Sequence, residues 1–132
     1  MSEIQSSILN IKIKYLNSNI NKRRQIARIY DKKINNPKII KPIEKKDNFH
    51  VYHLYVLASK NREQIIKSMK KNNIDLAIQY PYPLHKMKAY SKYKNSNLKN
   101  SEKFSKEIFS LPIYPTLKKN KIDKIINILN KI

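Results

Sequence analysis

The sequence predicts an α+β chain, a small and mostly antiparallel sheet flanked by helices and preceded by a long N-terminal helix. Apolar residues recur at helical spacing near both ends, as Ile4, Ile8, Ile11 and Tyr15 and again as Ile122, Ile125, Ile126 and Leu129. Residues 49–57 are instead rich in β-branched and aromatic side chains, the composition of a strand. Between these landmarks, helical and extended stretches alternate. The chain has no glycine, which excludes the glycine-rich strand-to-helix turn of a doubly wound nucleotide-binding fold.

Ser2 followed by Gln5 is a capping-box pattern that opens the first helix. Its apolar face resumes with Ala27, Tyr30 and Ile34, so one long helix is expected, kinked or divided at Asn17-Ser18-Asn19, where propensity drops. Asn35-Asn36-Pro37 ends it, because the residue before a proline resists the α region. Residues 38–48 form a polar connector. In the strand, Phe49, Val51, His53, Tyr55 and Leu57 share one face, and apolar residues on both faces place it centrally. Asn61, with Gln64 three residues on, is expected to cap a helix that buries Ile65, Ile66 and Met69 and closes at Lys70-Lys71-Asn72-Asn73. Residues 74–80 read as extended. Ser101 is the expected N-cap of a further helix with Phe104 and Ile108 inward, residues 110–114 return as an extended piece, and the stripe ending at Leu129 is the last helix. Pro81, Pro83, Pro112 and Pro115 sit in stretches with no single period, where fixed φ and missing donors make shaped loops.

A chain of 132 residues with 40% hydrophobic content can bury one core. Its formal net charge is +20, from 29 Lys+Arg against nine acids. Such a balance points toward nucleic acid or an anionic surface. Only Arg23, Arg24, Arg28 and Arg62 are arginines, however, and the excess of Lys, Asn and Ile is what A/T-rich codons give. Phosphate readers favour the planar fork of arginine. Tyr82, Tyr90 and Tyr93 near Lys86, Lys88, Lys92 and Lys94 are the best local case for nucleic acid, but lysine is spread throughout, so specific recognition is not expected. The absence of cysteine excludes disulfides and zinc–thiolate sites. His50 and His53 fall on opposite faces of a strand, so no metal site is expected; His53, on an otherwise apolar face, reads as a hydrogen-bonded core histidine. No run approaches the length of a membrane span and no export signal is evident, so the expected location is cytoplasmic.

Several short motifs occur in a fixed order: Met1-Ser2-Glu3-Ile4-Gln5-Ser6-Ser7-Ile8-Leu9; Asn21, Arg24, Ile26-Ala27 and Tyr30; His50-Val51-Tyr52-His53-Leu54-Tyr55-Val56-Leu57; Ile78-Gln79-Tyr80-Pro81-Tyr82-Pro83-Leu84-His85 with Ala89-Tyr90; and Ser110-Leu111-Pro112-Ile113-Tyr114-Pro115. This series resembles the C-terminal part of the DegT/DnrJ/StrS family of PLP-dependent aminotransferases, which act on nucleotide-linked keto-sugars. The resemblance covers nearly the whole chain. It implies that residues 1–36 form a long helix linking to a large domain and that residues 37–132 form the small C-terminal domain. The lysine, acid and phosphate-binding groups that hold PLP would lie in the large domain, leaving this chain without catalytic or cofactor-binding residues of its own. A truncated reading frame or one half of a split enzyme are both compatible with it, and the intact enzyme would be a dimer acting on a nucleotide-sugar with an amino acid such as glutamate as donor. By resemblance the substrate-binding residues are Gln79, Tyr80 and His85, in the family's "iHYP.PLH" loop. Gln79 replaces the usual first histidine, and an amide cannot change charge near neutral pH. The alternative from the charge balance is a free-standing basic module for nucleic acid or an acidic partner.

Overall fold

The reciprocal cap expected at the first helix is formed: the Gln5 amide donates to Ser2 Oγ at 3.3 Å and the Ser2 amide to Gln5 Oε1 at 3.1 Å. In the computed structural model, which describes residues 2–93 and 97–132, helix α1 (Glu3–Ile13) and helix α2 (Leu16–Lys33) replace one continuous helix. The division falls at Tyr15, with φ −103° and ψ 0°, earlier than Asn17-Ser18-Asn19. Those three residues occupy the first turn of α2, where short polar side chains are well tolerated because the amides there lack intrahelical partners.

α1 buries none of its residues, whereas α2 buries Ile26, Ala27 and Tyr30. Strand β1 (Tyr55–Ala58) pairs antiparallel with strand β2 (Ile108–Leu111), Tyr55 opposite Leu111 and Ala58 opposite Ile108. Single antiparallel bridges extend this ribbon on both sides, Ile40 to Ala58 and Ala77 to Ser110. The α+β prediction therefore holds, with a smaller sheet than the composition suggested.

Helix α3 (Arg62–Lys71) follows β1, short 3₁₀ turns occupy Leu84–Lys86 and Lys88–Tyr93, helix α4 (Lys99–Glu107) leads into β2, and helix α5 (Lys119–Leu129) ends the chain. α5 packs on α2 and α3 and buries Ile122, Ile125, Ile126 and Leu129, as its spacing predicted. Tyr30, Tyr55, Leu57, Met69 and Phe109 complete a single core cluster. Each large apolar side chain removed from water stabilises the fold by about 1.5–3 kcal/mol.

Four local expectations are corrected. The strand does not begin at Phe49. Tyr52 adopts φ 48°, a left-handed conformation no strand accommodates, and Phe49, Val51 and His53 are exposed. His53 is accordingly not a core histidine. α4 starts two residues before Ser101, with Leu98 at the N-cap; Phe104 is exposed and Ser105 is the buried residue. Asn61 stands at the N-cap of α3 but makes no side-chain capping bond. Residues 74–80 contribute one bridge rather than a strand.

Arginines on α2 hold the irregular segments. Arg23 Nη1 donates to the carbonyls of Ile113 at 2.7 Å, His53 at 3.1 Å and Tyr52 at 3.3 Å, which fixes the left-handed turn against the chain after β2. Arg24 forks onto Glu44 at 2.6 and 3.2 Å and lies 4.2 Å over the Phe49 ring. The guanidinium holds the Glu44 carboxyl below its usual range, with the His50 amide adding a second donor. In this way the polar connector is tied to the helix it leaves.

Candidate functional site

The chain bends at Pro81-Tyr82, Pro83 is extended with φ −66° and ψ 142°, and the turn at Leu84–Lys86 that follows carries His85 inward. His85 is 6% exposed, with its Nε2 3.1 Å from Glu102 Oε1 on α4. Lys86 Nζ reaches the same oxygen at 3.1 Å. The hydrogen bond from His85, followed by that from Lys86, holds the Glu102 carboxyl below its usual range. Loop and helix are thereby joined by one carboxylate.

Gln79 lies at the other end of the loop. Ser110 Oγ donates to Gln79 Oε1 at 3.0 Å, so β2 orients the amide and leaves its two N–H groups for another acceptor. Tyr80, 72% exposed, stands beside it with its ring in solvent. The three residues singled out by sequence thus do come together, lining one open cavity of about 900 Å³. Its remaining wall is largely apolar and aromatic, including Tyr82, Met87, Tyr90, Leu98 and Phe104. Such a surface can stack a flat ring, while Gln79 and the phenols offer directional donors. Of the residues considered for nucleic acid, Tyr82, Tyr90 and Tyr93 belong to this cavity, and Lys94 lies outside the described residues.

Sequence reasoning missed Ser110 and Glu102. Glu102 had a signal: it is the only acid between Asp75 and Glu107, in a stretch crowded with lysine. Ser110 had none, because its contact with Gln79 spans 31 residues. Elsewhere, no group of three or more His, Cys, Asp or Glu residues that could hold a metal occurs among the described residues. No helix among them is long and apolar enough to cross a membrane.

A family model for the DegT/DnrJ/EryC1/StrS aminotransferases matches residues 1–130. The chain belongs to that family. It is 37% identical over 131 residues to the dTDP-3-amino-3,6-dideoxy-alpha-D-galactopyranose transaminase of Aneurinibacillus thermoaerophilus, a match that takes in 99% of this chain and 36% of the relative. It is 30% identical over 139 residues to the dTDP-3-amino-3,4,6-trideoxy-alpha-D-glucose transaminase of Micromonospora megalomicea, covering all of this chain and 37% of that protein. Among solved structures, DesV of S. venezuelae, in complex with a ketimine intermediate, superposes with a TM-score of 0.94 at 26% identity, over 99% of this chain and 36% of that one. A DegT/DnrJ/EryC1/StrS aminotransferase from Brucella abortus gives 0.90 at 29% identity, over 97% and 35%. The chain spans about a third of the length of these relatives and corresponds to a C-terminal portion of the family.

The family is PLP-dependent. PLP needs a lysine for its imine and an acid at its ring nitrogen. Among the described residues the cavity is lined by neither lysine nor carboxylate. None of the described lysines is buried, and Lys41, the least exposed, is committed to the carbonyls of Asp31 and Ile34. These residues do not by themselves fit the cofactor.

Proposed function

We propose that this chain forms the substrate-loop portion of an aminotransferase acting on a nucleotide-linked keto-sugar, with the lysine-bearing, cofactor-holding portion lying in the part of the family that these residues do not span. The observation that carries this reading is the meeting of Gln79, Tyr80 and His85 on one aromatic-walled cavity, in a family whose named relatives include sugar-nucleotide transaminases. In this reading the residues bind and orient. His85, clamped by Glu102, fixes the loop's inner turn; Gln79, aligned by Ser110, donates to a sugar hydroxyl or phosphate oxygen; Tyr80 closes over the ligand. With Gln79 in place of a histidine, the group at that position can donate a hydrogen bond but neither takes up nor releases a proton near neutral pH. α1 and the start of α2 link to the large domain, and the working enzyme is a cytoplasmic dimer.

The test joins this chain to the remaining portion of the Aneurinibacillus transaminase, the relative at 37% identity. The chimaera is expected to bind PLP and move an amino group from glutamate to a dTDP-linked keto-sugar, and Tyr80→Ala to lower kcat/KM about tenfold, the loss of one well-placed contact. A chimaera that folds and binds PLP but neither binds nor aminates any nucleotide-linked keto-sugar overturns the reading. The chain on its own is expected to form no internal aldimine. Borohydride reduction in the presence of PLP, followed by mapping, checks this, and one stoichiometrically labelled lysine contradicts it.

A further inference from the structure

Away from the proline loop, the most heavily charged concavity lies along α3. A hollow of about 800 Å³ is lined there by Lys60, Arg62, Lys67, Lys71 and Lys106, with Glu63 as its one carboxylate among the described residues. None of these five cations takes part in an ion pair among the described residues. Lys67 and Lys71 stand at i and i+4 on one helix face, a like-charged pair that lowers helix stability when nothing offsets it. Arg62 Nη1 donates to the Ser105 carbonyl at 2.6 Å, which holds the start of α3 against the end of α4 and with it Lys106. Its Nε–H is buried without a partner.

Neutral donors fill the rest of the wall. Asn61, Gln64 and Ser68 line the same hollow, and because Asn61 makes no side-chain cap, the first-turn amides of α3 are left without a side-chain acceptor. A concave wall of one sign focuses potential and concentrates counter-ions. None of the lining residues is aromatic or aliphatic, and the one planar cation, Arg62, is engaged by the Ser105 carbonyl, so the wall is poorly suited to stacking a base or holding an acyl chain. A small and fully polar anion is the ligand this composition selects.

We propose that the hollow between α3 and the end of α4 binds a compact phosphate anion of the pyrophosphate class, at a site separate from the proline-loop cavity. Lys67, Lys71 and Lys106 carry the charge complementarity, and Asn61, Gln64 and Ser68 hydrogen-bond the phosphoryl oxygens.

Inorganic pyrophosphate is titrated into the full chain at 0.15 M salt and followed by backbone amide NMR. The expected result is saturable binding with shifts confined to α3 and the end of α4. The double variant Lys67→Gln, Lys71→Gln is expected to weaken it about tenfold or more, since each removed charge acts at close range. Lys12→Gln with Lys14→Gln, which removes the same charge from the last turn and C-cap of α1, should leave it unchanged. Glutamine keeps the helix propensity of lysine, and relief of the Lys67–Lys71 repulsion offsets loss of the Glu63–Lys67 attraction, so the α3 variant is expected to melt within about 2 °C of the parent and lost binding is not ascribed to unfolding. Shifts scattered over lysines throughout the chain, or equal weakening by both double variants, overturn the proposal in favour of diffuse counter-ion attraction. Tighter binding of a single-stranded oligonucleotide than of pyrophosphate at this salt overturns it in favour of a nucleic-acid surface.

Discussion

The Tyr30 and Tyr55 phenols are held in the centre of the molecule. Their rings lie 5.1 Å apart, Tyr30 OH donates to the Pro112 carbonyl at 2.8 Å, and Tyr55 OH donates to Asp31 Oδ1 at 2.5 Å. Burial pushes both phenols up, reinforced at Tyr55 by its bond to Asp31 and at Tyr30 by the nearby Tyr114. In the unfolded chain a tyrosine loses its proton near pH ~10, while the folded protein keeps it. Stability from these two groups is therefore complete below about pH 10 and falls as pH rises beyond it. Urea titrations at pH 8 and pH 11 are expected to show a lower midpoint at pH 11, and Tyr30→Phe, at a cost of about 1 kcal/mol at pH 8, should reduce that difference. An unchanged drop in the variant would remove Tyr30 as a source of the alkaline sensitivity. Glu102 acts with the opposite sign: its depressed carboxyl lends its contribution above the usual carboxylate range and loses it on acidification.

At the level of elements, α1 differs from the others because none of its eleven residues is buried. An isolated helix of that length is marginal in water, and here only the capping box and the junction with α2 support it. At 0.01 M salt, where the chain is expected as a monomer, amide exchange should show near-zero protection over residues 3–13 and strong protection in β1 and α5, and deletion of residues 2–14 should leave the melting temperature within about 2 °C. A larger drop would mean that α1 packs on the rest of the chain. The elements that could be read from sequence are those in which local pattern and tertiary burial agree. α5 is one: its isoleucine spacing and its buried face are the same list. The strand at residues 49–57 was misread because hydrophobicity carries no record of backbone angle, and Tyr52 turns left-handed through a contact with Arg23 that lies 29 residues away. The site divides in the same way. Its residues were visible as motif, whereas the partners that orient them, Glu102 and Ser110, are long-range contacts that no local pattern encodes.

For the molecule as a whole, charge and apolar surface work against each other. Net charge is +20, while Ile4, Ile8, Leu9 and Ile11 of α1 are all exposed. Burying such side chains against a second surface would gain about 1.5–3 kcal/mol each, and in the proposed enzyme the large domain provides that surface. For the chain alone, another copy can do so only if the repulsion is screened. The Debye length falls from about 30 Å at 0.01 M salt to about 8 Å at 0.15 M, so self-association is expected to rise with salt. Binding to unrelated DNA or RNA should change in the opposite direction, because its driving force is counter-ion release from phosphates and its affinity falls steeply as salt increases. Sedimentation velocity at both salt concentrations separates the two effects: the parent chain is expected as monomer at 0.01 M and as dimer or larger at 0.15 M, while Ile4→Ser, Ile8→Ser, Ile11→Ser stays monomeric throughout. A parent that remains monomeric at 0.15 M would show that the α1 face needs no cover, and association that persists in the triple variant would place the contact elsewhere, on the aromatic wall of the proline-loop cavity.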